Sequence, residues 1–227
     1  MNTLRPLDLE TWPRRGHFEH YTKRNPCTYS MTVELDATAL RSALRGSGRT
    51  TYPAHVWTLA TVINRHDELR LDRTADGSPA VWDVLHPAFT TFNAATETFA
   101  CVCAEYDADF AVFHARMVET AGRYRDAIEL FPQGGLPENT FDVSSLPWTS
   151  FTGFNLNIEG GEGHLRPILT LGRYVERGDR TLLPLAVQLN HAAADGLHAA
   201  RLVNEVQALF DHPERWLTKP PVEPATR

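Results

Sequence analysis

Leu189-Asn190-His191-Ala192-Ala193-Ala194-Asp195-Gly196 places an imidazole four residues ahead of a carboxylate, at a turn that Gly196 can accommodate. The apolar run Leu182 to Leu189 reads as a strand, and helical spacing begins at Leu197, so His191 falls where strand gives way to helix. An imidazole, with an unperturbed pKa of about 6.5, suits proton removal near neutrality, which makes His191 a candidate general base. The three alanines after it are expected to leave room for a substrate beside the ring. Asp195 also has a plainer reading, as a helix N-cap worth about 1 kcal/mol, and most histidines in a domain serve surface or packing roles.

The elements that must position this turn follow from hydrophobic periodicity. Met31 to Leu35 alternates as a half-buried strand, and Ala37 to Leu44 and His55 to Leu69 carry apolar residues at helical spacing. Short strand-like runs at Ala80 to Val84 and Ala88 to Phe92 are expected to be broken by Pro87, and a helix is expected over Asp109 to Ala127. Phe131 to Pro137, rich in glycine and proline, reads as a loop inside one domain. Ser150 to Ile158, Leu165 to Tyr174 and Leu182 to Leu189 then read as three consecutive antiparallel strands. The last helix, Leu197 to Phe210, is expected to turn Leu197, Ala200, Val203, Val206, Leu209 and Phe210 to the core. The fold class is α/β: a two-layer sandwich with a mixed, largely antiparallel sheet and packed helices. Residues 1–217 are expected to form a single domain, with a flexible tail at 218–227.

Composition narrows the function. The chain has 227 residues, 42% hydrophobic and 22% charged, the profile of a globular protein with a sizeable core. Its formal charge of -6 is spread without a basic cluster, which argues against nucleic acid as a partner. Cys27, Cys101 and Cys103 are an odd set without zinc-site spacing, so reduced thiols, no metal and a cytoplasmic location are expected. No membrane span or signal-peptide core is legible, so no membrane partner is expected.

Further blocks, in order, support the His191 motif. They are Arg14 to Tyr21, Tyr52-Pro53, Asn64 to Arg70, Phe131 to Gly134, Ser144 to Phe151, Phe154 to Asn157, Leu183 to Gln188 and His191 to Asn204. In order and spacing the chain resembles the chloramphenicol acetyltransferases from Trp12 to about Leu217. The resemblance implies a homotrimer with active sites between subunits, acetyl-CoA as cosubstrate with no tightly bound cofactor, and chloramphenicol as acceptor, hence antibiotic resistance.

By the same resemblance, His191 is the base, Ser144 stabilises the oxyanion and Thr170 assists through an ordered water. Asp195 pairs with Arg14 to hold the His191 loop. The acceptor pocket draws on Tyr21, Cys27, Tyr29, Phe99, Phe131, Leu156 and Gln188, and Tyr52, Trp148, Arg173 and Tyr174 match coenzyme positions. Read without the family, Ser144 is a loop hydroxyl, Arg14 a surface charge, and the pocket residues could equally be core.

Four departures bear on the acceptor and the base. Asn190 stands for the first of two adjacent histidines, Asn25 for an apolar residue, Tyr29 for a phenylalanine and Asp142 for an asparagine near Ser144. They keep open a same-fold enzyme with another hydroxylated acceptor. A noncatalytic trimeric binding protein and a dihydrolipoamide acyltransferase core are the remaining alternatives.

Overall fold

The structure, a computed structural model, describes residues 3–158 and 160–217, so the tail expected at 218–227 lies outside the described residues. Its main sheet has seven strands. From one edge these are β2 (Thr28–Asp36), β10 (Arg180–Asn190), β8 (Ile168–Leu171), β7 (Thr140–Ser145), β5 (His86–Asn93) and β6 (Thr98–Cys103), with β9 (Val175–Arg177) also paired to β10. β5–β7 and β7–β8 are parallel and the other pairings antiparallel, so the sheet is mixed and largely antiparallel. A separate three-stranded sheet joins β1 (Leu4–Pro6), β4 (Pro79–Trp82) and β3 (Leu71–Arg73).

Strand side chains alternate between faces, and that alternation divides this sheet by polarity. Leu35, Leu185, Leu169, Val143 and Phe89 share one face and are buried. Packed with them are α2 (Thr38–Leu44), α3 (Thr51–Ile63), α4 (Phe110–Arg123) and α5 (Gly196–Asp211). α3 is buried from Pro53 to Ile63 and apolar nearly all round, the composition of a helix enclosed between other elements. The opposite face carries Thr32, Gln188, Thr170, Ser144 and Thr90, and it is here that the candidate site residues lie.

Several expectations are corrected. Residues 150–158 form no strand. Their backbone donors are met by side chains of the polar face, Phe154 N–H by Thr32 Oγ1 at 3.3 Å and Leu156 N–H by Gln188 Oε1 at 2.9 Å. β8 therefore pairs with β10 and with β7, a strand not anticipated. Pro87 does not break β5; it sits second in the strand, opposite Phe141, where a missing N–H is tolerated. α3 stops at Ile63, and Leu69 belongs to a separate 3-10 turn, Asp67–Leu69. The buried stripe of α5 is Ala199, Leu202, Val206 and Phe210, whereas Ala200 is exposed and Leu197 is 65% exposed.

A second apolar cluster, Phe18, Leu71, Val81, Leu165, Ala192 and Ala193, fastens the N-terminal segment to the turn after β10. It joins α1 (Arg15–Glu19) and the small sheet to the His191 region.

Candidate active site

β10 ends at Asn190, and the turn that follows is built around that residue. The Asn190 carbonyl accepts from the N–H groups of Ala193 and Ala194, both at 3.0 Å, and its Oδ1 accepts from Ala192 N–H at 2.9 Å. Asn190 Nδ2 donates to the His164 carbonyl at 3.1 Å, and His191 N–H to the Cys27 carbonyl at 3.0 Å. The expectation that the alanines leave room for a substrate beside the ring is not met. All three are buried, and their small side chains let the N-terminal segment close over the turn.

Tyr21 lies on a π-helical turn, His20–Arg24, an irregularity common at functional sites. Its ring stacks on His191 at 4.1 Å between centroids, and Tyr29 meets His191 edge-on at 5.3 Å. Asp195 caps α5 through Leu197 N–H at 3.1 Å and also receives Arg14 Nη1 at 2.7 Å. Both readings of Asp195 hold at once. Burial opposes ionisation of this carboxyl, but the Arg14 hydrogen bond and the nearby His198 and Arg14 charges outweigh it and hold it below the usual range.

Beside this turn, Cys27, Tyr29, Leu156 and Gln188 line a cavity of about 530 Å³. A second cavity, about 630 Å³, gathers Ser144 with Tyr52, Thr90, Phe92, Phe99 and Trp148. Phe131 is exposed on the loop beside β6, whose Cys101 N–H bonds to Leu130 O at 2.7 Å. The acceptor residues expected from sequence are thus divided, with Phe99 beside Ser144 and most of the others beside His191. Of the coenzyme set, Tyr52 and Trp148 share the Ser144 cavity, and Arg173 is exposed without an ion pair among the described residues. Tyr174 instead turns inward, its hydroxyl 2.7 Å from His55 Nε2.

Ser144 is a strand residue, not a loop hydroxyl. In register it faces Thr170 on β8, which faces Ala186 on β10. His191 lies five residues beyond Ala186, about 17 Å along the strand, and Ser144 lies two strands aside, about 10 Å. Within one chain the backbone positions of His191 and Ser144 are therefore roughly 20 Å apart.

Asp142 shares the polar face with Ser144, with Oδ2 3.5 Å from His164 Nε2. Burial pushes the Asp142 carboxyl up against the pull of His164 and Arg166, and burial pushes the His164 imidazole down. Among the described residues no cluster of three His, Cys, Asp or Glu is placed to hold a metal, and no helix is long and apolar enough to cross a membrane.

A sequence model described as "Chloramphenicol acetyltransferase" matches residues 1–207. The chloramphenicol acetyltransferase of Streptomyces acrimycini is 59% identical over 95% of this chain and 97% of its own. The chain belongs to the chloramphenicol acetyltransferase family. Another member, from Clostridium perfringens, is 41% identical over 93% of this chain and 96% of its own. A solved chloramphenicol acetyltransferase shares the fold with a TM-score of 0.79 at 20% identity, covering 92% of this chain and 100% of that one. The dihydrolipoamide acetyltransferase of Azotobacter vinelandii shares it at 0.67 and 16% identity, with 89% and 88% covered.

Thr90 and Phe92, which the sequence does not single out as site residues, also line the Ser144 cavity. The signal was present. Phe141-Asp142-Val143-Ser144 alternates apolar and polar residues with the period of a strand, as Ala88 to Phe92 does in part.

Proposed function

We propose that this chain transfers the acetyl group of acetyl-CoA to the primary hydroxyl of chloramphenicol in the cytoplasm, and that residues 1–217 act as one domain within a homotrimer. The observation that carries this reading is the placement of His191 and Ser144. Ser144 lines one cavity of the sheet, His191 lies beside the residues that line the other, Cys27 and Tyr29, and the two are too far apart to meet at one reacting carbon. Each site then takes its base from one copy and its oxyanion donor from the next.

In that site His191 Nε2 takes the proton as the acceptor oxygen attacks the thioester carbonyl. Ser144 of the adjoining copy donates its hydroxyl proton in a hydrogen bond to the tetrahedral oxyanion, and Thr170, opposite it in register, supports a bridging water. The intermediate collapses with cleavage of the carbon–sulfur bond, and the imidazolium returns its proton to the thiolate. Tyr52, Trp148 and Arg173 receive the coenzyme, with Arg173 supplying a cation for its phosphates. Tyr174 supports that side through α3 and His55.

The test is chloramphenicol-dependent release of free coenzyme thiol, followed with a thiol reagent in wild type and His191→Gln. Rapid release by wild type alone is expected. Equal release with and without the antibiotic would exclude chloramphenicol as acceptor, and equal release by both proteins would exclude His191 as base.

A further inference from the structure

Asp142 precedes Ser144 by two residues on the same face of β7, where an ionised carboxylate opposes the oxyanion that Ser144 would stabilise. What that carboxylate meets decides how much of its charge reaches the reacting carbonyl. Among the described residues, Arg166, Asp72, Cys101 and His164 face it or its neighbour His164. Arg166 is already engaged: Nη1 donates to Asp72 Oδ2 on β3 at 2.7 Å and to the Glu138 carbonyl, and the same Asp72 oxygen accepts from Trp82 Nε1 at 2.9 Å. Cys101 on β6 is pushed up to about 11 by burial and by Asp142, so it stays a neutral thiol.

His164 is the group left to answer Asp142. Its carbonyl accepts from Asn190 Nδ2 at 3.1 Å, which fixes its backbone against the turn after β10. Its Nε2 is buried, makes no hydrogen bond among the described residues, and lies 3.5 Å from Asp142 Oδ2. Two titratable groups this close gain and lose protons as a pair. With one proton the pair is neutral overall, whichever atom carries it, and the shared proton supplies the hydrogen bond that Nε2 lacks. Without that proton the pair bears a full negative charge beside Ser144. Burial favours the proton on Asp142 and off His164, so a neutral acid facing a neutral imidazole is preferred to a standing ion pair.

We infer that His164 is a positioning residue that acts through Asp142: by sharing one proton with that carboxylate it keeps negative charge away from the oxyanion, and turnover falls when the pair gives the proton up to solvent. An amide at position 142 has no charge to neutralise, so the effect belongs to chains that carry a carboxylate there. The catalytic meaning of the inference rests on Ser144 being the oxyanion donor; the shared titration does not.

The test uses full-length protein labelled with ¹⁵N-histidine and titrated from about pH 5.5 to 9, with the His164 signal assigned by its loss in His164→Gln. Removal of the carboxylate in Asp142→Asn is expected to move the His164 titration to lower pH by about one unit. Over the same range, the ratio of kcat in Asp142→Asn to wild type is near one at about pH 6 and several-fold at about pH 8. Glutamine at 164 can donate to the carboxylate but holds no proton to share, so His164→Gln is several-fold slower than wild type already at about pH 6. Adding Asp142→Asn to it restores turnover, a rescue that a merely structural role of His164 would not allow. An unchanged His164 titration in Asp142→Asn overturns the inference, as does a kcat ratio that does not vary with pH. A coupled titration alongside full turnover in Ser144→Ala upholds the shared proton and overturns only the assignment of the oxyanion donor.

Discussion

The imidazole of His191 lies flat on the phenol ring of Tyr21, with 7° between the planes. Stacking of this kind contributes about 0.5–1.5 kcal/mol beyond simple burial, and here it restrains rotation of the ring proposed as the general base. Tyr21→Leu is expected to lower kcat about tenfold, with Tyr21→Phe close to wild type. Steady-state kinetics check this, and an active Tyr21→Leu would show that the stack does not orient the base.

The Arg14–Asp195 pair ties the N-terminal segment to the start of α5. It is partly exposed on the Asp195 side, so its loss is worth less than that of a fully buried pair. Arg14→Ala should lower unfolding stability by about 1–3 kcal/mol, with kcat falling too. The Asp195 carboxyl is held below its usual range, so its contribution is present above about pH 4 and lost as pH falls through the folded value. Urea unfolding at pH 7 and below pH 4 tests both points, with the variants converging at the lower pH.

Asp142 shares a strand face with Ser144, two residues away and about 7 Å. An ionised carboxylate there opposes a developing oxyanion by up to about 2 kcal/mol at an effective dielectric of about 20. Asp142→Asn is expected to raise kcat at pH 8 several-fold. Burial raises this carboxyl, so its favourable contribution to stability exists at low pH and is lost as pH rises through the folded value. The variant should therefore unfold at a temperature no lower than wild type at pH 8. A fall in kcat would contradict the electrostatic argument.

His55, fully buried in α3 and paired with the Tyr174 hydroxyl, is driven by desolvation down to about 3. The unfolded chain binds its proton near 6.5 and the folded chain does not, so stability is full above about pH 6.5 and falls with acidification toward pH 3. The slope from this one group reaches about 1.4 kcal/mol per pH unit. His55→Gln, which keeps an acceptor for Tyr174, should flatten it in denaturant unfolding measured from pH 7 to 4.

The strands and helices with clean periodicity, such as Met31 to Leu35 and the residues of α4, were legible because burial of one face imposes the spacing. What escaped was set by partners distant in the chain. Residues 150–158 look like a strand but spend their N–H groups on Thr32 and Gln188 side chains. Leu197 has an apolar side chain yet projects outward. β6 and β7 are short strands, and only β7, where Asp142 and Ser144 alternate with apolar neighbours, carries a clear strand period. At the site, His191 stood out by its turn, and the Arg14–Asp195 contact spans 181 residues and was reached through family resemblance alone. The separation of His191 from Ser144 depends on sheet order, which no local pattern encodes.

That separation is tested most directly by mixing subunits. Ser144→Ala and His191→Gln chains, each expected to lose about a hundredfold or more in turnover, are unfolded together and refolded as mixed oligomers. The account requires activity to return well above either parent, because a Ser144→Ala chain still offers His191 to a neighbour whose Ser144 is intact. Mixed oligomers no more active than the parents would mean that base and oxyanion donor come from the same chain, and the shared site would be wrong.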